Sequence, residues 1–227
     1  MSFCIRGVCA SQRVISITRS YQLVPSPEGT LFRLAWYFNA RYFFKGTFFS
    51  FAPVLFHMNI LTVSGSLRRV SSNTTLLHAA ALLAPDGVTV MLFTGLGDLP
   101  YFNPDLEGDP PLSVRDWQER LASADAMLIS SPEYAHGVPG VLKNALDWVV
   151  GSGELIGKPV GLLNASPRSA YAYESLKETL TVMTAQLVPG ACVTLPVAGQ
   201  GMNAEALAAH PEIGPILQGV LAALNVC

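Results

Sequence analysis

The chain has 227 residues, of which 50% are apolar and 13% are charged, and its formal net charge at pH 7 is −2. Residues 1–57 contain six Lys or Arg and one acid, whereas residues 58–227 contain eight bases and fifteen acids, so the two segments carry formal charges of +5 and −7. A segment at −7 lacks the basic surface that binding to a nucleic-acid backbone requires, so we expect no nucleic-acid partner.

The four cysteines are too scattered to form a known motif. They are Cys4, Cys9, Cys192 and Cys227, and their spacing matches neither a zinc site nor a redox pair. We therefore expect reduced thiols, no metal site and a cytoplasmic protein.

The first 57 residues show no clear period of 2 or 3.6 residues and are rich in aromatic residues near their end. Their longest charge-free apolar run has eleven residues, whereas a membrane-spanning helix needs about twenty. Arg33, Arg41 and Lys45 interrupt the pattern of a secretory signal. An organelle transit peptide and a true start at Met58 remain as alternatives, and the second is favoured. We expect residues 1–57 to be an extension that is poorly ordered or loosely packed.

From residue 58 onward, short apolar runs alternate with amphipathic segments. The runs predict strands over 59–64, 88–93, 126–130, 159–165 and 191–197. The amphipathic segments predict helices over 72–84, 113–124 and 173–187, one that starts at 137–139, and a last one interrupted near Pro211 and Pro215. The predicted inward residues are Val114, Trp117 and Leu121 in the helix over 113–124, and Leu142, Ala145, Leu146 and Val149 in the helix that starts at 137–139. Apolar strands that alternate with helices predict an α/β domain whose parallel sheet is covered on both faces. Ligands of such sheets bind beyond the carboxyl ends of the strands.

The segment S-G-S-L-R-R-V-S-S-N-T, residues 64–74, connects the first predicted strand to the first helix. Gly65 permits a tight turn, and the free N–H groups of a helix amino terminus suit a phosphate. Five side chains add hydrogen-bond donors: Ser66, Arg68, Ser71, Asn73 and Thr74. The segment predicts a phosphate site, and the alternative is a plain helix cap at Ser72 or Asn73 with a solvated arginine. The dinucleotide pattern G-x-G-x-x-G is absent.

The segment S-P-E-Y-A-H-G-V-P-G, residues 131–140, follows the third predicted strand. Its turn leaves Tyr134 and His136 at the crevice, where an aromatic ring and backbone amides suit a planar heterocycle. The alternatives are that Tyr134 packs on its own domain and that His136 faces solvent. Glu133 is either a buried carboxylate or a contact between subunits.

Ser166 and Arg168 follow the fourth predicted strand, in the segment A-S-P-R-S-A-Y. The carboxyl ends of parallel strands lie at one edge of the sheet. These two side chains therefore either complete the rim of the same crevice or belong to an ordinary strand-to-helix turn.

The segments GSLRRVSSN and PEYAHGVPGVLKNALDW closely resemble the NADPH-dependent FMN reductase family, flavodoxin-like enzymes that include quinone and chromate reductases. The segment DLPYFNPDLE is similar to that family's loop after the second strand. The resemblance covers residues 58–227 and none of residues 1–57. It implies a flavodoxin-like three-layer sandwich with a five-stranded parallel sheet in the order 2-1-3-4-5, non-covalently bound FMN, and a homodimer or homotetramer.

The resemblance also implies roles for individual residues. The FMN phosphate would be held by Ser66, Arg68, Ser71, Asn73 and Thr74. The ribityl chain and isoalloxazine would be lined by Pro132, Glu133, Tyr134, His136 and Gly137, with Ser166 approaching from the loop after the fourth strand. That loop often carries a glycine pair in relatives, whereas this chain has SPRSAYAY, so the resemblance assigns no role to Arg168.

The expected activity is that of an FMN-dependent oxidoreductase. NADPH or NADH would pass a hydride to N5 of FMN, and a small acceptor (free flavin, a quinone, an azo compound or a metal oxyanion) would take the electrons. No catalytic side chain and no membrane partner are expected. The alternative is a flavodoxin-like electron carrier that does not oxidise NAD(P)H, which the charge of −7 favours and Arg68 disfavours, because carriers typically have a threonine-rich phosphate loop. A flavin-free hydrolase or scaffold would leave the phosphate-like loop unexplained.

Overall fold

The computed structural model describes residues 3–9, 13–25, 32–44, 47–50 and 57–225, and for the first four of these ranges it describes the backbone alone. The chain divides into two compact units. One contains residues 1–57 and 85–88, and the other contains residues 58–84 and 89–227.

In its described residues, the first unit contains four antiparallel strands: β1 (Phe3–Cys9), β2 (Arg13–Pro25), β3 (Phe32–Phe44) and β4 (Thr47–Ser50). They form a sheet in the order β1-β2-β3-β4. The sequence pattern predicted no strand here, because apolar and polar residues do not alternate regularly. Whether the segment is loosely packed depends on side chains that lie outside the described residues, so that expectation stays a prediction.

The second unit contains five strands: β5 (Met58–Ser64), β6 (Val88–Phe93), β7 (Ala126–Ser130), β8 (Pro159–Asn164) and β9 (Gln186–Thr194). Their order is β6-β5-β7-β8-β9, and β7 pairs in parallel with both β5 and β8. The predicted flavodoxin-like order 2-1-3-4-5 is therefore confirmed.

Six helices flank this sheet: α1 (Ser72–Leu82), α2 (Leu112–Ser123), α3 (Gly140–Asp147), α4 (Ala170–Val182), α5 (Ala204–Ala209) and α6 (Ile213–Leu224). Short 3₁₀ turns at Gly95–Asp98 and Pro104–Leu106 lie between β6 and α2. The predicted interruption at Pro211 separates α5 from α6. Pro215 does not interrupt α6, because it lies in the first turn, where a backbone N–H has no intrahelical acceptor. In the part of the chain that the structure describes, no helix has the length and apolarity that crossing a membrane requires.

The predicted boundaries of α4 and β9 are wrong at both ends of each element, since α4 starts at Ala170 and not at 173, and β9 ends at Thr194 and not at 197. The helix ends at Val182, and Thr184 has a φ of +58°, a left-handed conformation that terminates a helix. The strand begins at Gln186, five residues before its predicted start. Its Pro-Gly pair (189–190), a residue pair typical of turns, lies at an irregularity in the pairing with β8.

The hydrophobic core joins α2 and α3 to the sheet. The predicted inward residues of α2, Val114, Trp117 and Leu121, are fully buried. The indole N–H of Trp117 donates to the carbonyl of Ala145 in α3 (2.9 Å), and its ring centroid lies 4.8 Å from that of Phe93. These contacts hold α3, and with it the loop that precedes α3, in a defined position.

Candidate functional site

A cleft of about 360 Å³ lies at the edge of the sheet where β5, β7, β8 and β9 end. Eight of the eleven predicted site residues line it: Ser66, Arg68, Ser71, Asn73, Pro132, Glu133, Tyr134 and Ser166. The lining also includes Ser72, Ser131, Ala165, Arg168, Ser169, Ala198 and Gly199. The structure thus brings together most of the side chains that the sequence singled out, and their role as cofactor ligands stays a prediction.

In the loop after β5, serine hydroxyls accept hydrogen bonds from the loop's own backbone. The N–H of Ser66 donates to Ser64 Oγ (3.3 Å), and the N–H of Arg68 donates to Ser66 Oγ (3.3 Å). The N–H of Gly65 donates to the carbonyl of Ser130 in β7 (2.9 Å), which extends the pairing of the two strands. This compact loop leaves the Arg68 side chain exposed at the cleft.

Ser71, and not the predicted Ser72 or Asn73, caps α1. Its Oγ accepts a long hydrogen bond from the N–H of Thr74 (3.5 Å), and its carbonyl accepts one from the N–H of Thr75 (2.9 Å). Across the described part of the chain, no acceptor faces the N–H groups of Ser72 and Asn73. Unpaired N–H groups of this kind attract anions.

The side-chain amide of Asn73 is a buried hydrogen-bond donor in the same first turn of α1. The residue is 7% exposed, and its Oδ1 accepts a hydrogen bond from Ser130 Oγ (2.9 Å). Its Nδ2 has no acceptor among the residues that the structure describes. A buried amide N–H without a partner is costly, so Asn73 favours a ligand that accepts a hydrogen bond inside the cleft.

Three predicted site residues do not line the cleft: Thr74, His136 and Gly137. The hydroxyl of Thr74 lies 2.8 Å from Ser64 Oγ, so it packs against the end of β5 and supports the loop from behind. Gly137 contributes only its backbone, which exchanges two hydrogen bonds with Tyr134 (3.1 and 3.0 Å).

The turn from Tyr134 to Gly137 has an unusual backbone. Its central residues, Ala135 and His136, have φ angles of +50° and +61°, as a type I′ turn requires. A left-handed conformation costs a non-glycine residue about 1–2 kcal/mol, so surrounding contacts must hold this turn. It sets the ring of Tyr134 at the cleft with 52% of the residue exposed.

Glu133 supplies such a contact, because its carboxylate joins two segments. The side chain is 11% exposed, and its Oε2 accepts a hydrogen bond from the N–H of Ala172 in the first turn of α4 (2.8 Å). Its Oε1 lies 3.3 Å from Nδ1 of His136. Within this chain, Glu133 therefore matches the first of the two alternatives, a largely buried carboxylate.

His136 is exposed to solvent and does not line the cleft. Its side chain is 73% exposed, and its ring centroid lies 4.3 Å from that of Tyr171, edge to face. The solvent-facing alternative therefore describes His136 better than a place in the lining does. The left-handed backbone of this turn was not predicted, because neither of its central residues is glycine or asparagine.

The loops after β8 and β9 complete the cleft. Ser166, Arg168 and Ser169 form the rim that the sequence left open as an alternative. Ala198 and Gly199, which follow β9, were missed. The signal for them was available, because the fifth strand of a parallel sheet ends at the same edge as the others and a glycine-rich segment follows it.

The cleft is lined by hydrogen-bond donors and by charged side chains. Its charged lining residues are Arg68, Arg168 and Glu133. Over residues 57–225, no group of three or more His, Cys, Asp or Glu side chains is placed to hold a metal ion. Such a lining suits an anionic ligand that brings its own reactive group.

Comparison with known proteins places this cleft in context. The model of one protein family, NADPH-dependent FMN reductase, matches residues 58–200. An NAD(P)H-dependent FMN reductase of Pseudomonas aeruginosa is 32% identical over 176 residues, which cover 74% of this chain and 94% of the relative. A 2-hydroxy-1,4-benzoquinone reductase of a Burkholderia species is 42% identical over 112 residues, 48% of this chain and 61% of the relative. The match therefore spans less than two thirds of that quinone reductase.

A solved structure agrees with these sequence matches. FerB from Paracoccus denitrificans, a flavoenzyme NAD(P)H:(acceptor) oxidoreductase, superposes with a TM-score of 0.61 at 32% identity. The superposition covers 74% of this chain and 94% of the FerB chain.

Proposed function

We propose, because the chain belongs to the NADPH-dependent FMN reductase family, that it is an FMN-dependent NAD(P)H oxidoreductase. Its acceptor would be a small molecule: free flavin, a quinone, an azo compound or a metal oxyanion. The observation that carries the proposal is the unpaired, buried amide of Asn73, which lies in one cleft with the unpaired N–H groups of α1 and the guanidinium of Arg68. This donor set fits the phosphate of FMN.

On the phosphate side, four residues would hold FMN directly: Ser66, Arg68, Ser71 and Asn73. The hydroxyl and amide groups donate hydrogen bonds, and the guanidinium adds a charge-assisted one. Thr74 would act from behind, through Ser64. Bound FMN would supply the hydride chemistry.

On the ring side, Pro132, Glu133, Tyr134 and Ser166 would contact the ribityl chain and the isoalloxazine. The ring of Tyr134 is exposed at the cleft and offers a flat apolar face. His136 and Gly137 would act indirectly, since one pairs with Glu133 and the other fixes the backbone of Tyr134.

The proposal is tested with the purified full chain. We expect it to bind FMN with the absorbance of a flavoprotein and to oxidise NADPH or NADH when a quinone or free flavin is added. A chain that stays colourless and binds no added FMN would refute the proposal. A flavoprotein that oxidises neither nucleotide with any acceptor would instead be an electron carrier, the candidate that the charge of −7 on residues 58–227 favours.

A narrower test concerns Arg68. We expect Arg68→Ala to raise the FMN dissociation constant about tenfold, because it removes one charge-assisted hydrogen bond at a partly solvated site. Arg69→Ala is the matched control, since Arg69 is exposed and does not line the cleft. Equal FMN affinity in the two variants would rule out this role for Arg68.

We also propose that the protein is a homodimer or homotetramer. A groove of about 530 Å³ is lined by residues of α3, α4 and their following loops. Val150, Ile156 and Val182 line it and are 60, 71 and 72% exposed. Apolar residues grouped on one face are typical of an interface between subunits. Light scattering should give a mass of two or four chains, which Val182→Asp lowers and Leu112→Asp, at an exposed position outside the groove, does not.

A cytoplasmic location is a further proposal, with residues 1–57 as an extension that the flavin site does not need. It rests on the cysteine spacing and on the free thiol of Cys192. Cell fractionation of the full chain tests the location, and a reporter fused after residue 57 tests the alternative of organelle targeting. Enrichment of both in an organelle would contradict the proposal.

A further inference from the structure

The loop after β8 repeats the side-chain arrangement of the loop after β5. The N–H of Ser166 donates to Asn164 Oδ1 (3.1 Å), and the N–H of Arg168 donates to Ser166 Oγ (3.3 Å). The loop after β5 has the corresponding two hydrogen bonds, from the N–H of Ser66 to Ser64 Oγ and from the N–H of Arg68 to Ser66 Oγ. Both arginines line the same cleft, so the cleft carries two cations that are positioned alike.

The two arginines belong to different loops of the cleft, Arg68 to the loop after β5 and Arg168 to the loop after β8. β7 lies between β5 and β8 in the sheet, so the two loops start about 10 Å apart, which is two strand spacings. FMN carries one phosphate, and the donors proposed to hold it, Asn73 and Arg68, belong to the segment after β5. A phosphate held there leaves Arg168 without a partner.

No carboxylate of the cleft neutralises Arg168. Within the described residues, neither Arg68 nor Arg168 has a carboxylate within salt-bridge distance. Glu133 is the acidic residue of the lining, and its two oxygens already face the N–H of Ala172 and the ring of His136. Arg168 is exposed and therefore able to meet a ligand that enters from solvent.

We propose that Arg168, with the hydroxyls of Ser166 and Ser169, forms a second phosphate subsite that binds the pyridine dinucleotide. This inference rests on the proposed function, and it identifies a group that recognises the nucleotide substrate. A planar guanidinium binds phosphate oxygens in pairs. NADPH offers two sources of phosphate, the 2′-phosphate and the pyrophosphate, and NADH offers the pyrophosphate alone.

The test compares wild type, Arg168→Ala, Arg168→Lys and the control Arg69→Ala as oxidised, FMN-loaded proteins. Calorimetry measures the dissociation constants of NADP⁺ and NAD⁺, and steady-state kinetics measures KM and kcat for NADPH and NADH. We expect Arg168→Ala to raise the NADP⁺ dissociation constant and the NADPH KM about tenfold, the effect of one lost charge-assisted hydrogen bond at an exposed site. Arg168→Lys should restore part of the affinity, and Arg69→Ala should match wild type.

The two phosphate sources give different patterns. A loss confined to NADP⁺ and NADPH assigns Arg168 to the 2′-phosphate, and an equal loss for NAD⁺ and NADH assigns it to the pyrophosphate. Unchanged binding of both nucleotides overturns the inference. So does a loss of FMN affinity without a loss of nucleotide affinity, or a rise in acceptor KM alone.

Failure of the proposed function would look different. In that case the wild-type chain itself would bind no FMN or would oxidise neither nucleotide. If the wild type binds FMN and oxidises a nucleotide, but Arg168→Ala leaves the nucleotide affinity unchanged, this inference alone is overturned.

Discussion

Replacing Gly65 by alanine should force apart the two loops that form most of the cleft. A Cβ atom added at Gly65 would clash with Ser131 Oγ and would lie 2.9 Å from Ser131 Cβ and 3.2 Å from Ser131 Cα. Rotation of the Ser131 side chain moves its Oγ but leaves its Cβ and Cα in place. The N–H of Gly65 also donates to the carbonyl of Ser130 (2.9 Å), so the backbone of the loop cannot shift without straining that bond.

The cost follows from this crowding. Overpacking a close contact destabilises a protein by about 1–3 kcal/mol, and in a domain of this size each kcal/mol lowers Tm by about 2–4 °C. Gly65→Ala should therefore lower Tm by roughly 2–12 °C. It should also weaken FMN binding, since Ser66 and Pro132 on the two sides of the contact both line the cleft.

Thermal unfolding and FMN titration measure both effects. Gly219→Ala is the control, because a Cβ there meets no atom within 4 Å in the middle of α6, and the change should stabilise the helix by about 0.5–1 kcal/mol. Adding Ser131→Gly to Gly65→Ala removes the clashing side chain and should restore part of the lost stability. A Gly65→Ala variant with wild-type Tm and wild-type FMN affinity would refute the steric argument.

Three further predictions concern the supports of the site. Glu133→Ala should lower the free energy of unfolding by about 1–2 kcal/mol in urea titrations, because the N–H of Ala172 loses its acceptor, and Glu133→Gln should cost less because an amide oxygen remains. Trp117→Phe should lower the free energy of unfolding by about 1–3 kcal/mol, since the carbonyl of Ala145 loses its buried donor; an unchanged urea midpoint would contradict this. Burial, with the nearby Cys192 thiol contributing less, raises the pKa of Tyr173 to about 12. The ordinary pKa is about 10, so the stability that the neutral phenol provides should be lost as pH rises from about 10 to 12. Tyr173→Phe should make that slope shallower and remove one late-titrating tyrosinate, and an unchanged slope would contradict the assignment.

Much of the fold was readable from local pattern. The apolar runs at 88–93 and 126–130 predicted β6 and β7 at their observed bounds. The inward positions of α2 and α3 were predicted correctly, because a helix that covers a sheet must place an apolar stripe on it. The strand order came from resemblance, since no local pattern says which strands are neighbours. The start of β9 was missed, because its Pro-Gly pair is a turn signal that tertiary pairing overrides.

Local sequence pattern was enough to predict which segments end at the carboxyl edge of the sheet, and therefore which loops form the cleft. Which side chains of those loops face inward depends on tertiary contacts that the pattern does not contain. Asn73 is held by Ser130, 57 residues away, and Glu133 is held by the backbone of Ala172, 39 residues away. The orientation of a loop side chain depends on such distant partners. The periodicity of strands and helices depends on near neighbours in the chain, so it can be read directly from the sequence.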